Sequence, residues 1–272
     1  MKLFQLITIC VLLMISCDDP SLDQRGEVAT AVDPIVNLME LSSIQIAQGT
    51  FNNVIQNIDI VYNNDALISE ILFTGTTNMS YNIEYASNNR LETITKVDVN
   101  TVVYNFTYDA DFIFINFTDI RGDHVTKQLF TDIQNRINRV LTTVTDVSGI
   151  STQTEDLRYS YNANFNVDRL NSLAVNNAAI ISYSQFTYEF NNNPFRDMND
   201  VLRLLIFPDF VSYTRYLPVT RENFIAASSG FRLENSLSYI YTLREDQFPS
   251  SREVVKTESG VSTTTFETFN YL

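Results

Sequence analysis

The sequence predicts an all-β protein of tandem antiparallel hairpins, a meander that curves into a sheet or an open barrel, with one short helical insertion near 196–206. Three observations lead there. A unit of apolar-x-apolar-x-Tyr, an Asn/Asp-rich turn and a second apolar run is written three times, as Ile58 to Leu67, Tyr81 to Leu91 and Tyr104 to Phe112. Its last tyrosines, Tyr62, Tyr85 and Tyr108, recur every 23 residues, the mark of a repeated supersecondary unit. Within each copy the alternation has period two: Tyr81, Ile83 and Tyr85 share one face of a strand, Asn82 and Glu84 the other.

The first sixteen residues stand outside this pattern. Lys2 precedes the apolar run Leu3 to Ile15, too short for a stable bilayer anchor, and Ser16 stands before Cys17. Met14-Ile15-Ser16-Cys17 resembles a bacterial lipobox. The resemblance implies cleavage before Cys17, diacylation of its thiol and attachment to a membrane through that lipid. One acyl chain binds marginally and two or more hold stably. With Cys10 removed and Cys17 lipidated, the chain from Cys17 onward keeps no thiol for a disulfide, a nucleophile or a zinc site.

Residues 17–49 read as a polar tether and an approach to the domain. Asp18 and Asp19 begin the tether; Asp33 and Pro34 suit the N-cap and first position of a short helix running to Leu41; Ser42 to Ala47 alternates like a strand that would pair with the first repeat. From 50 to 272 a single β-rich repeat domain is expected. Asn63-Asn64-Asp65, Ser87-Asn88-Asn89 and Asp109-Ala110-Asp111 supply the turns, since Asn and Asp tolerate positive φ and bond their own backbone. Phe112 to Phe117 is apolar on both faces and reads as a strand covered on both sides. Further copies follow at Leu157 to Tyr161, at Phe186-Thr-Tyr188-Glu-Phe190, with Phe190 in the final aromatic slot, and at Leu237 to Tyr241 before Phe248-Pro249. Thr263 to Leu272 closes the pattern. Between Phe195 and Glu234 it breaks: Asp197 to Ile206 is the helix candidate, and Pro208 and Pro218 fence an irregular segment, the place where function is expected on a rigid scaffold.

The repeated Tyr-(Asn/Asp)-x-(Asn/Asp) turn unit resembles the YD-repeat theme. Together with the lipobox, Tyr188 to Phe195 and the late Tyr239/Phe248 pair, it is similar to the DUF4595-type domain of Bacteroidota lipoproteins of unknown function. This chain lacks the glycine usual in those turns. The resemblance implies an outer-membrane lipoprotein, on the periplasmic face or the cell surface, and brings no catalytic residue or cofactor.

Charge and motif narrow the function. A net charge of −14 and a pI near 4.4 exclude nucleic acid as partner, because phosphate binding needs clustered Lys and Arg. No Trp is present, so only Tyr and Phe offer stacking surfaces for a glycan. His124, the lone histidine, falls in Arg121-Gly122-Asp123-His124, most simply a hairpin turn, and no Gly-x-Ser-x-Gly elbow accompanies it. Asp109-Ala110-Asp111 lacks the rest of a calcium loop, and neither Gly-x-Gly-x-x-Gly nor a P-loop occurs. The expectation is a non-catalytic binding module for a protein or glycan partner, with no cofactor and no metal; the alternatives are a polymer hydrolase using an acidic pair near 195–235 and a structural spacer.

Overall fold

The computed structural model describes residues 40–109, 112–175, 177–207 and 215–272. The signal segment, Cys17 and the expected helix from Asp33 lie outside them, as do Ala110 and Asp111. Among the described residues sixteen antiparallel strands run as an unbroken meander, and β1 (Leu41–Gln48) pairs with β16 (Val261–Tyr271) to close it as a barrel. The tandem hairpins are therefore the staves of a closed wall. Leu41–Gln48, within the approach segment, contains the strand expected over Ser42 to Ala47; it pairs with residues 54–59, in the strand that opens the first repeat, as expected and is the first stave.

The repeat explains the closure. Each copy places an even strand, a tight turn and an odd strand, so all turns of that kind lie at one rim. In the turn after β2 (Val54–Tyr62), the Asn63 amide donates to the Leu67 carbonyl and the Asn63 side-chain oxygen accepts from the amides of Asp65 and Leu67. Asp132 and Asn162 repeat this in their turns. The fourth position is left-handed, at Ala66, Asn89, Asn135 and Phe165. Asn carries that conformation at low cost, whereas Ala and Phe adopt it because the surrounding bonds over-determine the turn.

The tyrosine that ends each even strand then ties one copy to the one before. Its hydroxyl donates to the backbone carbonyl that opens the preceding odd strand: Tyr62 to Leu41 at 3.0 Å, Tyr85 to Ile68 at 3.0 Å, Tyr161 to Ile137 at 2.6 Å and Tyr188 to Val167 at 2.6 Å. Tyr241 to Pro218 and Tyr271 to Pro249 repeat it, both at 2.8 Å. Among the described residues β8 (His124–Thr131) is the even strand with no tyrosine in this slot, where Thr131 stands. The final aromatic slot of the Phe186 copy belongs to Tyr188 and not to Phe190, whose ring is 76% exposed.

A register shift sits just before most of these tyrosines, between Glu84 and Tyr85 and between Ser160 and Tyr161 for example. The extra residue falls in the odd strand and brings positions three apart onto one face. Hence Leu41 and Ile44, Ile68 and Ile71, Leu91 and Ile94, and Ile137 and Val140 are all buried, while even strands keep strict alternation. Gly75 meets a different constraint at the far rim: at φ +135°, an added Cβ would lie 2.4 Å from the Ile55 carbonyl oxygen.

The inward face carries the core, and the outward face carries Asp59, Glu70, Asn82, Glu84 and Asn105 between strand neighbours. Strand β7 (Phe112–Thr118) is covered differently from expectation. Ile113 and Ile115 turn inward, while Phe112 leans on Phe130 of the next strand at 5.0 Å, with the Arg139 guanidinium over Phe130, so neighbouring side chains and not a second layer cover its outer face.

The helix is shorter than expected. Helix α1 spans Asp200–Ile206, and Asn199 caps it by accepting from the Val201 amide at 2.9 Å. Residues 194–197 form turns, and Pro218 lies within β13 (Tyr216–Ala227), where a register shift accommodates it, so the break in the pattern ends earlier than the proline suggested. Val201, Leu202, Arg203 and Ile206 are buried and Leu204 and Leu205 pack on the core, so the helix is covered all round. Phe207 meets Phe73 of β3 (Ile68–Gly75), while Leu204 and Leu205 line one cavity with Val140 on β9 (Ile137–Thr145), Tyr159 on β10 (Ser151–Tyr161) and Leu170 on β11 (Val167–Leu173). Contact with well-separated staves puts the helix inside the lumen, a plug entering from the tyrosine rim.

Two outcomes test the clamps. Tyr85→Phe keeps the ring and removes only the donor, and should cost about 1–2 kcal/mol and a few degrees of Tm in a thermal melt; an unchanged Tm would mean the bond contributes nothing. Burial pushes the Tyr81 and Tyr85 phenols up to about 12, from 10 for an exposed one. The folded state thus holds these protons more tightly, so stability is full below pH 10 and falls as pH rises toward 12. Melts between pH 8 and 11.5, with tyrosinate absorbance followed in a chain without Trp, should show the loss; a flat profile contradicts it.

Candidate ligand-binding site in the barrel lumen

The inward face changes character around the barrel. Through β1 to β11 it is largely aliphatic and aromatic. Register carries the same face on into polar residues: Leu157 pairs with Ser172, Leu170 with Ser184, Ser184 with Asn223, Phe186 with Arg221 and Asn223 with Asn235. Leu157, Leu170 and Phe186 pack on the core, so Ser172, Ser184, Arg221, Asn223 and Asn235 face the lumen with them.

These residues line a cleft of about 330 Å³ toward the rim opposite the plug's entry, with Ser182 and Glu234 also on its wall. The Ser184 hydroxyl donates to the Asn223 side-chain oxygen at 2.5 Å, Arg221 Nε donates to the same oxygen at 2.9 Å, and the Asn223 amide nitrogen donates to Asn235 at 2.6 Å. Asn223 therefore spends its oxygen and one N–H within the wall and holds three neighbours in place.

Leu157 and Leu170 also line a second cavity, of about 190 Å³, floored by Leu204 and Leu205 of the plug. On its wall Lys127 Nζ donates to Thr142 at 2.9 Å and lies 3.1 Å from Glu155, whose carboxylate also accepts from Thr142 at 2.7 Å. The two spaces share Leu157 and Leu170 in their walls, the first lined mainly by polar residues and the second bordered by the plug leucines. The volumes fall in or just below the range of small-ligand sites.

Elsewhere in the lumen Arg252 and Glu267 form a buried pair, with the guanidinium over Tyr239 and Phe269. Burial pushes the Glu267 carboxyl up and Arg252 pulls it back; burial also works to lower the Arg252 pKa, and Glu267 outweighs it, which keeps the guanidinium charged. A third space, about 360 Å³, lies at the tyrosine rim between the plug and the turns. It is rich in arginine, and Arg136, Arg196 and Arg203 are matched by Asp132, Asp197 and Asp200.

The structure separates the residues that the sequence singled out. His124 is exposed at the start of β8, paired across the ladder with Thr118 and Thr145, and Arg121-Gly122-Asp123 forms the expected turn, closed by Asp119. Of the acids in 195–235, Asp197 and Asp200 bond to arginines at the rim, Glu222 bonds Gln185 and Glu234 lines the cleft. Among the described residues no three His, Cys, Asp or Glu side chains converge as a metal site would require. Sequence reading missed Ser182, Ser184, Arg221, Asn223 and Asn235. The signal was the polar alternation Ser182-x-Ser184 and Arg221-x-Asn223, which reads as a solvated face until the barrel closes.

No family model and no curated protein matches the chain. Among solved structures it is similar to a porin-like protein from Bacteroides uniformis ATCC 8492, 12% identical over 86% of this chain and 97% of that one, with a TM-score of 0.40. A porin-like protein from Bacteroides vulgatus ATCC 8482 is 15% identical over 86% and 99%, with a TM-score of 0.41. The N-terminal domain of the effector protein SpvB from Salmonella typhimurium strain LT2 is 11% identical over 85% and 87%, with a TM-score of 0.26. At these identities and scores the likeness carries no inference about ligand or role.

The buried pair has its own test. Glu267→Gln strands a charged guanidinium in the lumen and should cost about 3–5 kcal/mol by denaturant unfolding. Glu222→Gln, at an exposed contact on the outer wall, should stay within about 0.5 kcal/mol. Equal effects would show that burial does not govern the difference.

Proposed function

We propose that this chain is a non-catalytic binding module of the cell envelope, tethered to the outer membrane through lipidated Cys17, that takes a hydroxyl-rich glycan ligand into the open end of its barrel. The observation that carries the reading is a barrel plugged by its own helix at one end and lined at the other by serine, asparagine and arginine held in a shared hydrogen-bond network. Hydroxyl and amide groups that both donate and accept suit sugar hydroxyls, and Leu157 and Leu170 offer the apolar surface against which a sugar ring packs.

The wall supports tethering in preference to insertion. Membrane barrels turn apolar residues outward, and Arg or Lys at mid-bilayer costs about 2–4 kcal/mol each, Asp and Glu less. Here the outward positions between strand partners include Asp59, Glu70, Glu84, Arg139, Arg158 and Glu253 beside scattered apolar residues such as Val61, Leu72, Val103 and Ile240, so no continuous apolar band is formed where those charges stand, and the buried apolar core lies inside. A hydrolase would need two carboxylates facing one bond; Asp197 and Asp200 are each engaged by an arginine.

Two measurements test the proposal. Cys17→Ser should move the protein from membrane to soluble fractions and abolish incorporation of labelled fatty acid; continued labelling overturns the anchor. On an array of immobilised oligosaccharides the protein should retain some glycans, and Ser182→Trp, which fills the cleft, should lose them. Retention unaffected by that change would place binding outside the lumen and overturn the site.

A further inference from the structure

The cleft contains one group that a neutral sugar does not require. Arg221 is fixed twice, by its Nε bond to Asn223 and by lying 5.8 Å over the ring of Phe186, its partner across the strand. Neither contact uses the two terminal guanidinium nitrogens, and among the described residues no carboxylate forms an ion pair with them, although Glu234 shares the cleft wall. A side chain held by Nε alone presents its remaining donors as a fork that fits a planar carboxylate through two parallel bonds.

The environment limits what can deliver that carboxylate. The chain carries a net charge of −14, so a densely charged polyanion is repelled at long range. Screening over about 8 Å at physiological salt leaves a single acidic group in the cleft governed by Arg221 and its neighbours. Leu204 and Leu205 of the plug line the adjoining cavity together with Leu157 and Leu170, so the helix stands in the lumen beyond the cleft. A polymer threading the barrel would run into it, whereas an end or a side branch fits the cleft.

We propose that the lumen binds the acidic end residue of a glycan, a uronic acid or comparable carboxylate-bearing sugar, with Arg221 taking the carboxylate and Ser182 and Asn235 facing its hydroxyls. This rests on the glycan-binding reading above and adds charge and chain-end selectivity to it. Arg221 is thereby a specificity residue, and Asn223 positions it.

Titration calorimetry on the full chain in detergent tests this with four probes: an oligosaccharide ending in glucuronic acid, the same oligosaccharide ending in glucose, the glucose-ended form carrying a terminal phosphate, and a form with its glucuronic acid placed internally. The acid-ended probe should bind about tenfold or more tightly than the neutral one. Arg221→Gln should abolish that preference, read as the ratio of the acid-ended to the neutral affinity; Arg221→Lys, which keeps the charge without the fork, should retain only part of it and decides the matter if the Gln variant does not fold. Equal affinity for the acidic and neutral ends overturns the acidic assignment while the glycan module stands. Phosphate bound as tightly as carboxylate overturns the uronic-acid assignment and leaves an anion site. A probe with its uronic acid placed internally that binds as well as the end-placed one overturns chain-end selectivity. Binding of no probe overturns the glycan reading together with this one.

Discussion

The structure depends on one recurring bond, a tyrosine hydroxyl at the end of an even strand donating to the carbonyl that opens the strand before it. A sixteen-strand wall has a long rim, and the strand ends there would fray if each hairpin were joined to the next by ladder bonds alone. Tyr62, Tyr85, Tyr161, Tyr188, Tyr241 and Tyr271 each fasten two hairpins at that rim while burying a ring on the inner face. One bond contributes about 1 kcal/mol net, so no single clamp decides the fold. Their regular recurrence sets how far successive staves are offset, and that offset lets β1 meet β16.

Closure has a consequence for chemistry. A barrel abolishes sheet edges, so the wall offers no strand for a partner to extend. Recognition must then use the outer surface, the rims or the lumen. The rim cleft is rich in arginine, and three of those arginines are matched by carboxylates of the plug and its neighbouring turn. In the lumen Lys127 is matched by Glu155 and Arg252 by Glu267, whereas at the polar mouth Arg221 is held by Asn223 and forms no ion pair among the described residues.

The plug and the pocket are two sides of one arrangement. A meander of this many strands encloses more volume than its own side chains fill. Residues 193–207 occupy part of it, with Phe195, Phe207 and Leu202 among the most deeply buried side chains in the protein. The helix reaches the tyrosine half of the lumen, and the polar cleft lies toward the opposite rim, walled in part by β12 (Ile180–Asn192), β13 and β14 (Gly230–Leu243). The segment that interrupts the repeat therefore stands in the lumen beyond the cleft.

The sequence by itself determined the local alphabet: the Tyr-turn unit, its spacing of 23 residues, the strand alternation and the Asn/Asp turns, because each rests on neighbours within a few residues and on period-two patterning. It also placed the helical interruption near residue 200. The meaning of Leu91-x-x-Ile94 and its counterparts waited on the register shifts, since a spacing of three reads as a broken strand unless the extra residue is known to bulge. Only the tertiary structure decided that the meander closes, that the helix turns inward, and that Ser184, Arg221, Asn223 and Asn235, which alternate along their strands like any water-facing residues, look into a lumen. Those outcomes depend on which strands meet across two hundred residues of chain, and a pairing at that distance leaves no trace in the pattern of either partner alone.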